Sequence, residues 1–180
     1  MNETASKAGP LDATQLLTFV VGEDEYGLPI RAVKEILQAT DLSQMPRLSP
    51  VFRGVADLRG SPLPVVDLRA HFGLDEAEVS RFACIVAVEV RAEGEERTIG
   101  LLVDAVREVM ESSPRQRREA PSFGRRIRCE LLSGLIETGE RFVQLIDLQR
   151  LLSPSELSGI AGALASSGEA PGGGSKESRT

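Results

Sequence analysis

The feature that most constrains this chain is that it repeats itself. The segment Gly27-Leu-Pro-Ile-Arg-Ala-Val-Lys-Glu-Ile-Leu37 returns as Gly100-Leu-Leu-Val-Asp-Ala-Val-Arg-Glu-Val-Met110, with five of eleven positions identical and four more conserving size or charge. A second pair of landmarks supports the first. Gly54 and Asp67 stand thirteen residues apart, as do Gly134 and Asp147, and the segments end in Val-Val-Asp-Leu and Leu-Ile-Asp-Leu. A duplicated unit calls for two similar substructures that bury their apolar faces against one another. The copies lie near 16–80 and 82–152.

Within each copy, short apolar runs alternate with tight-turn residues, the pattern of hairpins. Gly22-Glu23-Asp24, Arg59-Gly60-Ser61-Pro62, Ala92-Glu93-Gly94-Glu95 and Thr138-Gly139-Glu140 each separate two such runs. About five short strands per copy result. Sheets of that size tend to curl into barrels, which removes exposed edges. Helical signals are short: Arg31–Ala39, single turns at Asp67–Phe72 and Asp147–Leu152, and a C-terminal helix over Ser155–Leu164. Ser153 is placed to cap that last helix, with Pro154 as its first residue. Asp67 and Asp147 stand where a helical turn begins, and a carboxylate there can accept bonds from free backbone N–H groups.

Composition narrows the function classes. The chain of 180 residues is 41% hydrophobic and 27% charged, the balance of a globular domain. A formal net charge of -6 argues against general affinity for nucleic acid or an anionic membrane. No run approaches the ~20 apolar residues of a membrane helix, and the N-terminus lacks the apolar stretch of a signal peptide. Residues 1–14 read as a flexible N-terminus, and the Gly/Ser-rich 166–180 as a disordered tail. The ordered domain is 15–153, extended by the C-terminal helix.

No catalytic set, metal site or cofactor is expected. Two cysteines, Cys84 and Cys129, make neither a disulfide framework nor a zinc site. Cys84 lies in an apolar run and reads as a small buried hydrophobe. His71, the only histidine, reads as a surface or half-buried side chain. No phosphate-loop, nucleophile-elbow or zincin motif is present. The arginines of 115–128 invite a nucleic-acid reading, but only Phe123 interleaves them, so a solvated basic loop is the reading preferred.

Several motifs together resemble the CheW-like coupling proteins of bacterial chemosensory arrays. Leu-Thr-Phe-x-x-Gly-x-x-x-Tyr-Gly-Leu over 17–28, followed by Val33-Lys34-Glu35-Ile36, is similar to the opening of such domains. Phe52-Arg53-Gly54-Val55-Ala56-Asp57-Leu58-Arg59-Gly60 resembles the family's G-x-x-N-L-R-G signature, with Asp57 in place of the usual Asn. The resemblance covers about 16–153. It implies a mainly β fold of two five-stranded β-barrel-like, SH3-like subdomains packed together, with short helices. It also implies a cytoplasmic, non-catalytic adaptor linking the cytoplasmic tip of methyl-accepting chemoreceptors to a CheA-type histidine kinase. The kinase carries a domain of the same fold.

By that analogy Val33, Glu35, Gly54, Arg59, Ala83 and Val109 are the candidate receptor- or kinase-binding residues. Read from their surroundings alone, Val33, Ala83 and Val109 are core packing, Glu35 is a solvated charge, and Arg59 is a turn arginine paired weakly with Asp57. Gly54, repeated at Gly134, marks a close backbone approach or a positive φ. Two alternatives remain: the same role in a non-flagellar chemosensory pathway, and a small-barrel nucleic-acid-binding protein using Arg115–Arg128.

Overall fold

A computed structural model describes residues 15–44, 49–119 and 129–167. The expected N-terminal arm, nearly all of the C-terminal tail and the second half of the basic run lie outside these residues.

Twelve strands and three α-helices follow in chain order: β1 (Gln15–Val21), β2 (Asp24–Pro29), β3 (Val33–Gln38), β4 (Ser43–Gln44), β5 (Phe52–Leu58), β6 (Ser61–Asp67), α1 (Leu68–His71), β7 (Cys84–Ala92), β8 (Glu95–Val103), β9 (Ala105–Glu111), β10 (Arg117–Arg118), β11 (Leu132–Thr138), β12 (Arg141–Ile146), α2 (Leu148–Leu151) and α3 (Pro154–Ser167). They form two sheets. Sheet I has the order β10-β11-β12-β2-β1-β9, and sheet II the order β4-β5-β6-β8-β7-β3. Each has five long strands and a two-residue edge, so the expected architecture of two packed five-stranded units holds.

The sheets are nevertheless not the two sequence copies. The first hairpin, β1–β2, inserts into sheet I among strands of the second copy, where β2 runs parallel to β12. Reciprocally, β7–β8 inserts into sheet II among strands of the first copy, with β8 parallel to β6. Each copy thus lends its leading hairpin to the other. The two halves cannot separate without breaking both sheets.

Adjacent residues of the inserted hairpins face different cores, which explains their continuous apolar runs. Leu17, Phe19, Val86 and Val88 point into the large core shared by both sheets and sealed at one side by Ile160 and Ala163 of α3. Ile85 and Ala87 point the other way, meeting Ala56, Leu63, Val65 and Leu102 inside sheet II. Side chains from β5, β6, β7 and β8 can share one cluster only if the sheet curls around it. Sheet I encloses a smaller cluster: Leu16, Ile136, Val143 and Leu145.

The glycine landmarks have distinct causes. Gly54 and Gly134 lie at equivalent β-bulges with φ of 155° and 159°, backbone that favours glycine. Gly27 and Gly100 face the parallel strand junctions. A Cβ on Gly100 would come within 2.6 Å of Ile85 Cγ2, and one on Gly27 within 3.0 Å of Val143 Cγ1.

Asp67 Oδ1 accepts the Arg69 and Ala70 N–H groups at 2.9 and 3.4 Å, and Asp147 Oδ1 accepts that of Gln149 at 3.0 Å. Ser153 caps α3 with Glu156 in a reciprocal pair: the Glu156 N–H donates to Ser153 Oγ and the Ser153 N–H to Glu156 Oε2.

Two expectations need correcting. Arg31–Ala39 is not a helix: a single 3-10 turn at Ile30–Ala32 leads into β3. Val33, Glu35 and Leu37 turn inward while Lys34, Ile36 and Gln38 turn out, a strand period that the apolar outward Ile36 disguises in the sequence. His71 is more enclosed than expected. Its side chain is 8% exposed and its Nδ1 lies 4.0 Å from Glu156 Oε1, which ties α1 to α3.

Candidate functional site

Five of the six candidate residues belong to sheet II or its margin. Val33 on β3 is half-buried against the shared core, opposite Val88. Glu35 lies two residues on, and its carboxylate accepts a hydrogen bond from Arg59 Nε at 3.1 Å. Arg59 occupies the β5–β6 turn at φ 52°, with Gly60 at 85°, so two successive residues take the left-handed backbone of a type I′ turn. Its partner is Glu35 rather than Asp57. The Asp57 carboxylate instead accepts the Gly60 N–H at 2.7 Å, closing the turn. Either Asp or Asn can serve there, so the departure from the family signature leaves the turn intact.

Gly54 is buried at its bulge, and Ala83 is buried just before β7, where its carbonyl accepts the Ala39 N–H. Val109 stands apart. It lies on β9, the outer strand of sheet I, opposite Leu17, and is 52% exposed. Its counterpart in the duplication, Ile36, is on the outer strand of sheet II and is also exposed.

None of these six lines the main groove among the described residues. That groove, of about 420 Å³, lies between the sheets. Leu16, Ile136, Leu145 and Leu148 make its apolar lining, with Pro29 and Pro114 beside them. Glu89 of sheet II and Arg31, Arg117 and Gln149 supply polar groups. Lys34 sits 2.9 Å from Glu89; its hydrogen bond and charge hold that carboxyl below the usual carboxylate range, and the lysine is raised in return. The groove thus has an ion-paired carboxylate on its sheet II side and two arginines, Arg31 and Arg117, elsewhere in its lining.

The duplication shows why the groove exists. Its counterpart in the duplication is a cavity of about 240 Å³ bordered by Arg53, Asp67, Arg69 and Asp104. There Arg69 Nη1 lies 2.6 Å from Asp104 Oδ2, the same oxygen accepts the Gly22 N–H at 2.7 Å, and Arg53 Nη1 lies 3.5 Å from Asp67 Oδ2. This charged clasp ties sheet I to sheet II where the chain crosses between them. In the groove the positions of Arg53, Arg69 and Asp104 hold Ser133, Gln149 and Arg31. The same clasp cannot form there, and the opening is the larger of the two. The sequence did carry this signal, at the positions where the two copies differ in charge.

The described part of the basic run is engaged. Arg117 Nη2 donates to the Ser133 carbonyl, and Arg118 donates to the Arg115 carbonyl and pairs with Glu137 at 3.2 Å. Among the described residues no helix is long and apolar enough to cross a membrane.

Two interlocked, curled sheets with a peptide-sized apolar groove define a protein that works through contacts. Residues 15–156 match the CheW-like domain family, and the chain belongs to that family, whose members are non-catalytic scaffold proteins of chemotaxis. It is 32% identical over 155 residues to the chemotaxis protein CheW of Klebsiella aerogenes, covering 86% of this chain and 91% of that protein. The crystal structure of the scaffolding protein TtCheW from Thermoanaerobacter tengcongensis superimposes with a TM-score of 0.70 at 27% identity, covering 81% of this chain and 93% of that one. A more distant relative, protein FrzA of Myxococcus xanthus, is 24% identical over 153 residues, 82% of this chain and 90% of its own length.

Proposed function

We propose that this chain couples chemoreceptors to a CheA-type histidine kinase within a cytoplasmic chemosensory array. The observation that carries the receptor half is the open groove: an apolar cleft lined by both sheets fits one face of a helical receptor tip, with polar side chains at the rim setting its register. The outer strands β3 and β9, with exposed Ile36 and Val109, are the surfaces proposed to meet the kinase's domain of the same fold. The exposed Glu35–Arg59 pair borders the first of them. The protein acts by holding partners in place and shifting their populations.

A receptor cytoplasmic hairpin and the kinase's CheW-like domain, each titrated against the purified chain, test this. Ser133→Trp, which fills the groove from an exposed position, should abolish receptor binding and spare the kinase. Retention of receptor affinity in that variant would overturn the groove assignment. The second reading keeps the same contacts in a non-flagellar chemosensory pathway. The match to FrzA, named apart from the CheW proteins, is the reason to include receptors of both kinds.

A further inference from the structure

Among the described residues, four charged side chains line the groove, and three of them are already engaged. Glu89 holds Lys34 at 2.9 Å. Asp147 accepts the Gln149 N–H at 3.0 Å and lies 3.3 Å from Arg150 Nε. Arg117 Nη2 donates to the Ser133 carbonyl at 3.0 Å. Arg31 is the exception: among the described residues its side chain has neither an ion-pair nor a hydrogen-bond partner.

The backbone fixes where that charge sits. Pro29, at φ -56°, ends β2, and the Val33 N–H donates to the Ile30 carbonyl. Arg31 is thus the middle residue of a 3-10 turn held on both sides. Ile30, beside it, packs against the shared core, while Arg31 itself stays exposed. In the other copy of the unit the position of Arg31 is taken by Asp104, which meets Arg69 Nη1 within the chain at 2.6 Å. At Arg31 the sign is reversed, and the counterpart of Arg69 is the uncharged Gln149. Both carboxylates of the lining are held by other cations, Lys34 and Arg150, so the charge of Arg31 is left uncompensated.

We propose that Arg31 is the specificity-determining cation of the groove. It receives the carboxylate of an Asp or Glu on the helix whose apolar stripe lies on Leu16, Ile136, Leu145 and Leu148. The proposal rests on the groove being the receptor site. Burial of apolar surface is non-directional, so the cleft alone accepts amphipathic helices of many sequences. A charge-assisted hydrogen bond at one fixed place selects the helix whose acidic residue falls in register with its apolar stripe. The planar fork of a guanidinium matches a carboxylate. A helix with Lys or Arg at that position sets like charges together and is rejected.

A double-mutant cycle with a receptor's cytoplasmic helical hairpin tests this. Arg31 is exposed, so Arg31→Glu and Arg31→Gln should unfold as the unchanged chain does. Arg31→Glu should weaken hairpin binding by about tenfold or more, and Arg31→Gln by less. The hairpin's Asp and Glu residues are then changed to Lys one at a time. One such change should restore binding to the Arg31→Glu chain and weaken binding to the unchanged one. If Arg31→Glu misfolds, Arg31→Gln completes the cycle with an acid-to-amide change in the hairpin, the two together costing no more than either alone. Equal affinity of all three chains, or losses that no single reversal restores, overturns the role of Arg31; methyl shifts at Leu16 and Ile136 in the same titration then leave the groove reading standing. Binding that leaves those methyls unmoved, or no binding at all, overturns the groove as the receptor site and the role of Arg31 with it.

Discussion

Arg59 reaches from the β5–β6 turn to place its Nε 3.1 Å from the Glu35 carboxylate on β3, joining strands that are not neighbours in the order of sheet II. Arg59 is 83% exposed on its side chain, so the pair adds little to stability. Its geometry presents a guanidinium and a carboxylate together on one surface. Arg59→Ala should leave unfolding free energy within about 1 kcal/mol, as for other exposed changes, while weakening partner binding. Denaturant unfolding and a binding titration on the same variant check both halves, and a collapse in stability would make Arg59 a structural residue.

Gly27 and Gly100 are equivalent in sequence but not in space. Alanine at 100 drives a Cβ to 2.6 Å from Ile85 and 3.2 Å from Leu63 and Val65, all side chains of a filled core. Alanine at 27 meets Val143 at 3.0 Å and Leu145 at 3.3 Å beside the smaller cluster. Overpacking costs about 1–3 kcal/mol, so Gly100→Ala should fall toward the top of that range and Gly27→Ala toward the bottom. Equal losses in urea unfolding would contradict the closer contacts at Gly100.

Asp104 joins the sheets at the clasp. Asp104→Ala removes the acceptor of the Gly22 N–H and the partner of a half-buried arginine, a loss of about 2 kcal/mol. Asp104→Asn keeps the acceptor and should lose roughly half as much. Unfolding measurements on both variants separate the hydrogen bond from the charge.

Tyr26, the only tyrosine in a chain without tryptophan, reports on the core. It is fully buried, its ring centroid 4.9 Å from that of Phe72 and 6.1 Å from that of Phe19. Burial, with the nearby Asp24 charge, pushes its ionisation well above the ordinary tyrosine range. Its folded pKa exceeds its unfolded one, so its contribution is fully present below about pH 10 and is lost as pH rises beyond that. Tyrosinate absorbance should appear only together with alkaline unfolding. Ionisation near pH 10 with native circular dichroism would contradict the burial.

Gly54 and Gly134, and the Asp-Leu steps thirteen residues on, showed from sequence alone that the fold is doubled, and the four glycine-bearing turns located its hairpins. The exchange of β1–β2 and β7–β8 was not legible. Duplication reveals which strands are alike, and pairing of β2 with β12 depends on contacts more than a hundred residues apart. Ile36, outward and 43% exposed, sits where alternation calls for a polar residue and so hides the β3 strand behind a helix-like pattern. Such an apolar position makes sense as a surface awaiting a partner. A doubled sheet implies an apolar seam where its halves meet, but not which residues line it: Ser133, Gln149 and Arg31 are unremarkable until set beside Arg53, Arg69 and Asp104.

The most direct test of the open groove as the receptor site is a methyl spectrum of the chain titrated with a receptor's cytoplasmic helical hairpin. Shifts gathered on Leu16, Ile136, Leu145 and Leu148, with Leu63 and Ile85 silent, are the predicted result. Saturable binding that leaves those four methyls in place and moves others would contradict it.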